Sequence, residues 1–414
     1  MVLPDFDQFA VDWEQRIDFD RLRKLRLDRM NKIMKESNVD GLIVFRKENI
    51  RYLTSHRPLY WIAGYITRDA VIMKRDETPY LWVASGDLAR VRAGMPWLPD
   101  DHVVPCPNLE EAGIARAEIM GKWKPLMKEI GLSEGRIGVD ACTFTCMKLI
   151  EEALPKATLV DGDQLLKDAR AIKNDEEVKC TRISVMIAEQ MLYAAWKIAE
   201  PGVRENDIAG AAVNAMHRLG GEWIHGGPDV ASGWHTAPLY RMSTDKVVRW
   251  GDFLFLDLGT AYNGYHSDLA NTCVVGRPSE KQREIYNIVK NEQFACAKAI
   301  RPGKTTQDVN AAARGYLKEV GYYDYGYFGI LGHGMGLSVQ DYPIIGELVT
   351  AGEKERKLEP GMIISVEPGV YVPGVGGVRI EDNYVVTETG CEKISKMPYE
   401  VELTKLKSLD VQWW

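Results

Sequence analysis

The sequence predicts an α+β chain of two domains, an N-terminal α/β domain over residues 1–172 and a C-terminal pseudo-two-fold domain over residues 173–414. Three observations carry this. An apolar run ending on a carboxylate occurs twice, as Gly251-Asp252-Phe253-Leu254-Phe255-Leu256-Asp257 and as Gly361-Met362-Ile363-Ile364-Ser365-Val366-Glu367. A Pro-Gly helix opening also occurs twice, at Pro201-Gly202 and 101 residues later at Pro302-Gly303, each followed by an aligned acid, aliphatic and closing glycine. The first 172 residues alternate helical and strand periods without a cluster of chemically active side chains, the pattern of a supporting or lid domain.

In chain order, Leu22, Leu25, Met30, Ile33 and Met34 recur at helical spacing, and Val39 to Phe45 reads as a strand. Asp69 to Ser85 reads as a hairpin turning near Asp76 to Pro79. A helix over Glu111 to Ile130 follows, then a strand at Arg136 to Asp140, a helix near Thr143 to Leu154 and a strand at Ala157 to Val160. Ser55-His56-Arg57-Pro58-Leu59-Tyr60-Trp61 is expected as a loop with a charged and aromatic tip, reaching over a pocket or lying on the surface. Asn174, three residues before Glu177, marks a capping box at the head of a long amphipathic helix, so the domain boundary is placed near Ile172.

Each acid-ended run reads as the first arm of a β-hairpin, turning at Asn263-Gly264 and at Pro373 to Gly377. A two-residue loop at Asn263-Gly264 pairs Tyr262 with Tyr265 and Gly259 with Asp268, leaving Asp257 and Asp268 as diagonal neighbours on one face. Glu381 follows Glu367 by fourteen residues in the second copy. Four acids at strand centres repel one another unless cations sit among them. Carboxylates with one imidazole suit divalent manganese, iron, cobalt or zinc, and His333, within Gly332-His333-Gly334-Met335-Gly336, is the candidate imidazole. That glycine-rich stretch lacks the Gly-Lys-Ser/Thr ending of a phosphate loop and the dinucleotide fingerprint.

Composition narrows the function classes. The chain has 414 residues, 27% of them charged, a net charge of -7 and no long basic run, which argues against a nucleic-acid partner. No segment approaches the roughly 18 apolar residues of a membrane span and Met1 to Asp20 lacks an apolar leader, so a cytoplasmic location is expected. Seven scattered cysteines lack zinc-site spacing and read as buried thiols.

Asp257, Asp268, His333, Glu367 and Glu381 stand in the contexts Leu-Asp-Leu-Gly, Ser-Asp-Leu, Gly-His-Gly-Met-Gly, Ser-Val-Glu-Pro-Gly and Val-Arg-Ile-Glu-Asp. In that order they resemble the "pita-bread" metallopeptidases of family M24: prolidase, aminopeptidase P and methionine aminopeptidase. The match runs from about Asn174 onward, and the N-terminal region resembles the creatinase-type domain of prolidase and aminopeptidase P. The resemblance implies two divalent metal ions, with Asp257 chelating one, Asp268 and Glu381 bridging both, and His333 and Glu367 on the second. It implies amide hydrolysis by a metal-bridging hydroxide, with Glu367 as proton shuttle and Arg379 as the active-site arginine. It also implies a homodimer in which one chain's N-terminal domain approaches the other's active site, and the His56 to Trp61 loop is the expected visitor.

The departures bear on substrate. Where the peptidases carry two further histidines that support substrate or oxyanion, this chain has Tyr240 and Gln340, with His235 nearby. The usual Thr-Arg-Thr after the second aspartate is Ala270-Asn271-Thr272. A hydrolase of Xaa-Pro peptides or a related amide is one reading, and slow turnover of standard dipeptides is expected from it. A dimethylsulfoniopropionate-lyase-like or creatinase-like enzyme of the same fold is the second, with Asp341 as a candidate base, and a metal-free binding protein is the third. Trp223, Trp234, His235 and Tyr240, with His56, Arg57 and Trp61, are the expected substrate-pocket residues, forming an aromatic wall suited to a prolyl ring or a methylated cation.

Overall fold

The computed structural model describes residues 17–58, 67–224, 227–240, 242–327, 329–347 and 355–409, and the chain divides between Arg170 and Ala171 into two compact units. In the N-terminal unit, helix α1 (Phe19–Glu36) starts where the Asp18 carboxylate accepts the Arg21 N–H, and it buries Leu22, Met30 and Met34. Strands β1 (Gly41–Val44), β2 (Ala70–Lys74), β3 (Tyr80–Ala84), β4 (Val103–Cys106), β5 (Arg136–Val139) and β6 (Thr158–Asp161) form one sheet in the order β4-β3-β2-β1-β5-β6. The hairpin expected between Asp69 and Ser85 is β2–β3, antiparallel. The helix expected over Glu111 to Ile130 is three pieces in line, Ala112–Glu118, a π-helical turn Ile119–Trp123 and Lys124–Glu129; the wider turn keeps both Ile119 and Trp123 in the core.

The His56 segment differs from its expectation. The helix Lys47–Thr54 ends with Ser55 in a left-handed conformation (φ 64°), which turns the chain inward and buries His56 completely. Neither ring nitrogen has a hydrogen-bond partner, and burial pushes the imidazole down to about 3. A neutral, enclosed ring in this position is core and not a loop tip. Arg57 is exposed, its carbonyl accepting from Arg90 at 3.0 Å, and Trp61 lies outside the described residues.

In the C-terminal unit the internal repeat is visible element by element. Asn174 and Glu177 form the expected capping box at the head of the helix Asp175–Ile198. The helices Glu205–Arg218 and Thr306–Glu319 are both 14 residues long, and both follow a glycine of positive φ, Gly202 (98°) and Gly303 (83°). Strands β7 (Asp229–Ser232), β8 (Phe253–Leu258), β9 (Ala261–Tyr262), β10 (Tyr265–His266) and β11 (Leu269–Val274) build the first half, with the sheet order β11-β8-β7. Strands β12 (Ile330–Gly334), β13 (Asp341–Gly346), β14 (Ile363–Val366), β15 (Gly369–Val372), β16 (Gly376–Arg379), β17 (Asp382–Val386) and β18 (Cys391–Lys393) build the second, with the sheet order β13-β12-β14-β17-β18 and β15 paired to β16. Leu254, Leu256, Leu258, Leu269 and Ile363 pack with Ile187, Met191 and Leu192 of the long helix in one buried cluster, which fixes the inner face of both halves. All seven cysteines are free thiols, and no helix among the described residues is long and apolar enough to cross a membrane.

Candidate metal centre

The two hairpins place their acids differently. Tyr262 pairs with Tyr265 and Leu258 with Leu269, one continuous register around a two-residue turn, so Asp257 faces Ala270 and is diagonal to Asp268. In the second hairpin Val366 pairs with Asp382 and Gly369 with Arg379, so the same register sets Glu367 directly opposite Glu381. Of the three residues by which the second hairpin separates its acids further, one lies in the turn at 373–375 and two lie in the returning arm, and those two carry Glu381 from the diagonal to the directly opposed position. His333 on β12 lies opposite Ser365 of β14, two residues from Glu367.

Cross-links between the hairpins fix these side chains. Glu381 N–H donates to Ala270 O at 2.8 Å, and Arg379 N–H donates to Thr272 Oγ1 at 3.1 Å. Asn383 Nδ2 donates to Asp268 O at 2.5 Å and to Ser365 Oγ at 3.0 Å, and Ser365 Oγ donates to Glu381 Oε1 at 2.6 Å. Arg379, buried, donates from Nη1 to Asp257 Oδ2 at 2.8 Å, and the same nitrogen lies 3.1 Å from Glu367 Oε2. His333 Nδ1 is 3.0 Å from Gly334 O; donating there, it leaves Nε2 as the nitrogen that faces Asp268 Oδ2 at 3.4 Å and Glu367 Oε1 at 3.6 Å.

Asp268, His333 and Glu381 offer ligand atoms that all lie within 4.8 Å of one another, while Asp257 and Glu367 turn toward Arg379. Electrostatics show what this group lacks. Burial, then the charges of Asp268, Asp257 and Glu367, hold the Glu381 carboxyl well above the usual range. Burial alone would depress His333, but the Asp268 hydrogen bond and the Glu367 charge outweigh it and lift the imidazole to about 9. Among four buried acids facing one guanidinium and one imidazole, Glu381 and His333 are the groups pushed toward holding protons where a cation fits. The oxygen-and-imidazole donor set, with a second shell already in place on His333 and Glu381, is suited to a divalent metal ion.

Residues 179–388 match the family model of metallopeptidase family M24, and residues 26–172 match the creatinase/prolidase N-terminal domain. The Xaa-Pro dipeptidase of Pyrococcus furiosus is 32% identical over 378 residues, covering 91% of this chain and 99% of that protein. The chain belongs to metallopeptidase family M24. An Xaa-Pro dipeptidase structure from Bacillus anthracis superposes with a TM-score of 0.77 at 29% identity, covering 91% of this chain and 98% of that one. A prolidase structure from Pyrococcus furiosus superposes with a TM-score of 0.73 at 30% identity, covering 89% and 99%. The fold is thus a creatinase-type domain followed in sequence by the pita-bread arrangement, and the chain is a metal-dependent peptidase.

Within this M24 peptidase the expected aromatic wall is partly assembled. Tyr240, half-exposed, stacks on His235 with centroids 4.4 Å apart, and Trp234, 62% exposed, meets the His235 ring edge-on at 3.9 Å. Trp223 is buried and belongs elsewhere: its ring lies 6.0 Å from His266, and its carbonyl accepts from Thr260 Oγ1 beneath the first hairpin turn. Gln340 is exposed. Asp341, the candidate base of the lyase reading, is almost fully enclosed and 4.0 Å from the buried Lys173 ammonium, a salt-bridge setting that ties up its carboxylate.

Several supporting residues escape sequence reasoning. Ser365 and Asn383 alternate with the acids along β14 and β17, a period-2 signal that could have found them. Glu205, fully buried, accepts from Ser232 N and Oγ, from His235 Nδ1 at 3.1 Å and from Thr244 N and Oγ1, so it anchors the aromatic wall. It opens a helix 30 residues before His235, and nothing local in the sequence joins the two. Strand β7 is also unforeseen, and it sets Asp229 directly opposite Asp257.

Proposed function

We propose that this peptidase is a dinuclear Xaa-Pro dipeptidase, hydrolysing the amide bond on the amino side of proline in short peptides. The observation that carries the reading is the Asp268, His333 and Glu381 group with Asp257 and Glu367 held beside it by Arg379, in a chain matched over nearly its whole length by relatives named Xaa-Pro dipeptidase. Asp268 and Glu381 would be shared by two divalent ions, manganese among the candidates, with Asp257 on one and His333 and Glu367 on the other. Bound there, such ions polarise the scissile carbonyl and make water nucleophilic near neutral pH.

The chain's own residues supply the rest. Glu367, one residue beyond the strand that faces His333, takes the proton from the attacking water and returns it to the departing prolyl nitrogen. Arg379 holds Asp257 and Glu367 in place, its buried guanidinium reaching both carboxylates from one nitrogen. Tyr240 offers a phenol where relatives would place an imidazole, a weaker support for the developing oxyanion. Gln340 offers an amide at the other such position. A homodimer and a cytoplasmic location complete the proposal.

The test is one panel with manganese-loaded enzyme: Xaa-Pro dipeptides, longer Xaa-Pro peptides, creatine and dimethylsulfoniopropionate. Dipeptides are expected to be cleaved, below about 10 per second because the two imidazoles are replaced. Turnover confined to dimethylsulfoniopropionate or creatine would overturn the peptidase substrate.

A further inference from the structure

Glu367 and Glu381 stand in a break in the second hairpin. Strand β14 ends at Val366 and β17 begins at Asp382, so the ladder between them stops one residue short of both acids. The arms pair again from Gly369 with Arg379 onward, and Ile380 N–H to Pro368 O at 3.4 Å is a long contact between the two stretches. Within the break the acids' own N–H groups turn to other strands, Glu367 to Leu331 O and Glu381 to Ala270 O, both at 2.8 Å. Asp257, by contrast, lies inside β8 and faces Ala270 in a continuous ladder. The second pair of acids needs a brace that the ladder does not give.

Gln293 lies against the back of this break, fully buried on the helix Glu280–Ala299. Its Nε2 is 3.2 Å from Val366 O, 3.3 Å from Asp382 Oδ2 and 3.3 Å from the Tyr384 hydroxyl oxygen. A backbone carbonyl can only accept, so the nitrogen end of the amide is the end that faces the strands. Val366 and Asp382 are directly opposed and form the last rung before the acids. Side chains alternate along a strand, so Asp382 points to the face opposite that of Glu381, toward this helix. One amide thus ties the two strands together at the rung adjoining Glu367 and Glu381.

The Asp382 end of this tie is itself fixed. Ser395 Oγ donates to Asp382 Oδ1 at 2.7 Å, the Tyr399 hydroxyl donates to Oδ2 at 2.5 Å, and the Lys393 ammonium lies 2.9 Å from Oδ1. The Val366 end acts on Glu367, because the C=O of Val366 and the N–H of Glu367 belong to one planar peptide unit. Gln293 holds that unit at its oxygen and Leu331 O holds it at its nitrogen. A plane held at both edges resists rotation. The Glu367 carboxylate is thereby kept at 3.6 Å from His333 Nε2 and 3.1 Å from Arg379 Nη1.

We propose that Gln293 is a positioning residue of the metal centre, which sets the direction of Glu367 and its spacing from Glu381 through the backbone, without touching an ion or the substrate. The inference rests on the dinuclear reading above. The ion assigned to His333 and Glu367 depends on this brace. The ion assigned to Asp257 does not, because the continuous ladder of the first hairpin already places that acid. Partners that orient metal ligands from behind are worth about 10- to 100-fold in metal affinity or activity.

The experiment compares the full-length wild type with three variants. Gln293→Met removes the donor and keeps the length of the side chain, Gln293→Ala removes both, and Val289→Ala is a packing change at a buried position one turn earlier on the same helix. Metal-free protein is titrated with manganese by calorimetry, and the cobalt-loaded proteins are compared by absorption. Gln293→Met should bind one manganese ion about 10- to 100-fold more weakly and the other as the wild type does, with shifted cobalt d–d bands. At saturating manganese its kcat for an Xaa-Pro dipeptide should fall while KM holds. Gln293→Ala should match it at the metal centre although its cavity lowers Tm further. Val289→Ala should lower Tm and leave the manganese affinities and cobalt bands at wild-type values. Wild-type affinities and bands in Gln293→Met, metal loss that grows with the volume removed from Met to Ala, or the same loss in Val289→Ala would overturn the inference. If Gln293→Ala does not fold, the Met variant and the Val289→Ala control decide. A wild type that binds fewer than two manganese ions would remove the dinuclear reading and this inference with it, and that count is taken before any variant is compared.

Discussion

Arg379 Nη1 lies 2.8 Å from Asp257 Oδ2, an ion pair that ties the second hairpin to the first carboxylate of the other. The same nitrogen is 3.1 Å from Glu367 Oε2, so one buried cation already does part of what metal ions would do for the cluster. Replacing it with Met takes the guanidinium away from two buried carboxylates. In chelator, Arg379→Met should lose about 3–5 kcal/mol of stability. Manganese should restore more of the variant's Tm than it adds to the wild type's. An equal metal-induced rise in both proteins would show that Arg379 and the cations do not share this task.

Glu205 is the anchor of the aromatic wall, and its removal leaves five donors, from Ser232, His235 and Thr244, without their acceptor. Glu205→Ala should therefore cost about 3 kcal/mol or more, since several buried donors lose partners together. It should also free the His235 ring, altering the fluorescence of Trp234, which lies edge-on to it. Denaturant titration checks the first effect. A loss under about 0.5 kcal/mol, typical of a surface change, would contradict the anchoring role.

The parts of this site that are legible in the sequence are those governed by local periodicity. The turn Asn263-Gly264 sets the register of the first hairpin, and counting outward from it is enough to place Asp257 diagonal to Asp268. The paired Pro-Gly openings likewise anticipate two helices of equal length. Long-range pairings are not legible. β7 is four residues long and its partner β8 begins only at Phe253, so neither its existence nor the facing of Asp229 and Asp257 can be counted out from a nearby turn. The burial of His56 depends on the left-handed turn at Ser55, a conformation that serine adopts too seldom for its presence to announce it.

A pH effect away from the metal centre follows from Glu292. It is fully buried on the helix Glu280–Ala299, neither carboxyl oxygen has a hydrogen-bond partner, and burial lifts it to about 8 against the partial pull of Arg314. In the unfolded chain the same group titrates near 4.3. A raised carboxyl favours folding while it stays protonated, so the contribution is complete below about pH 4 and is lost as pH rises through about 8. Glu292→Gln cannot ionise. Its stability relative to the wild type should therefore increase steadily from about pH 5 to about pH 9, measured as denaturant midpoints across that range. A difference that stays constant with pH would rule out the shift.

Asp268 offers the sharpest separation of structural from metal-binding roles. Its backbone N–H and C=O are both engaged by the Asn383 side chain, at 3.3 and 2.5 Å, so Asp268→Asn leaves the hairpin junction intact. In the metal-free protein two effects oppose. The substitution relieves the repulsion that helps hold Glu381 protonated, and it removes one acceptor 3.4 Å from His333 Nε2. Stability in chelator should consequently change by no more than about 1 kcal/mol, the scale of one hydrogen bond. With metal the outcome is one-sided, because a neutral amide oxygen cannot replace a charge shared between two cations. The manganese-dependent rise in Tm should disappear, metal content should fall, and kcat/KM should drop by at least about a hundredfold. Elemental analysis beside paired melting curves decides it: wild-type metal content with an unchanged manganese increment would mean that Asp268 is not a bridging ligand.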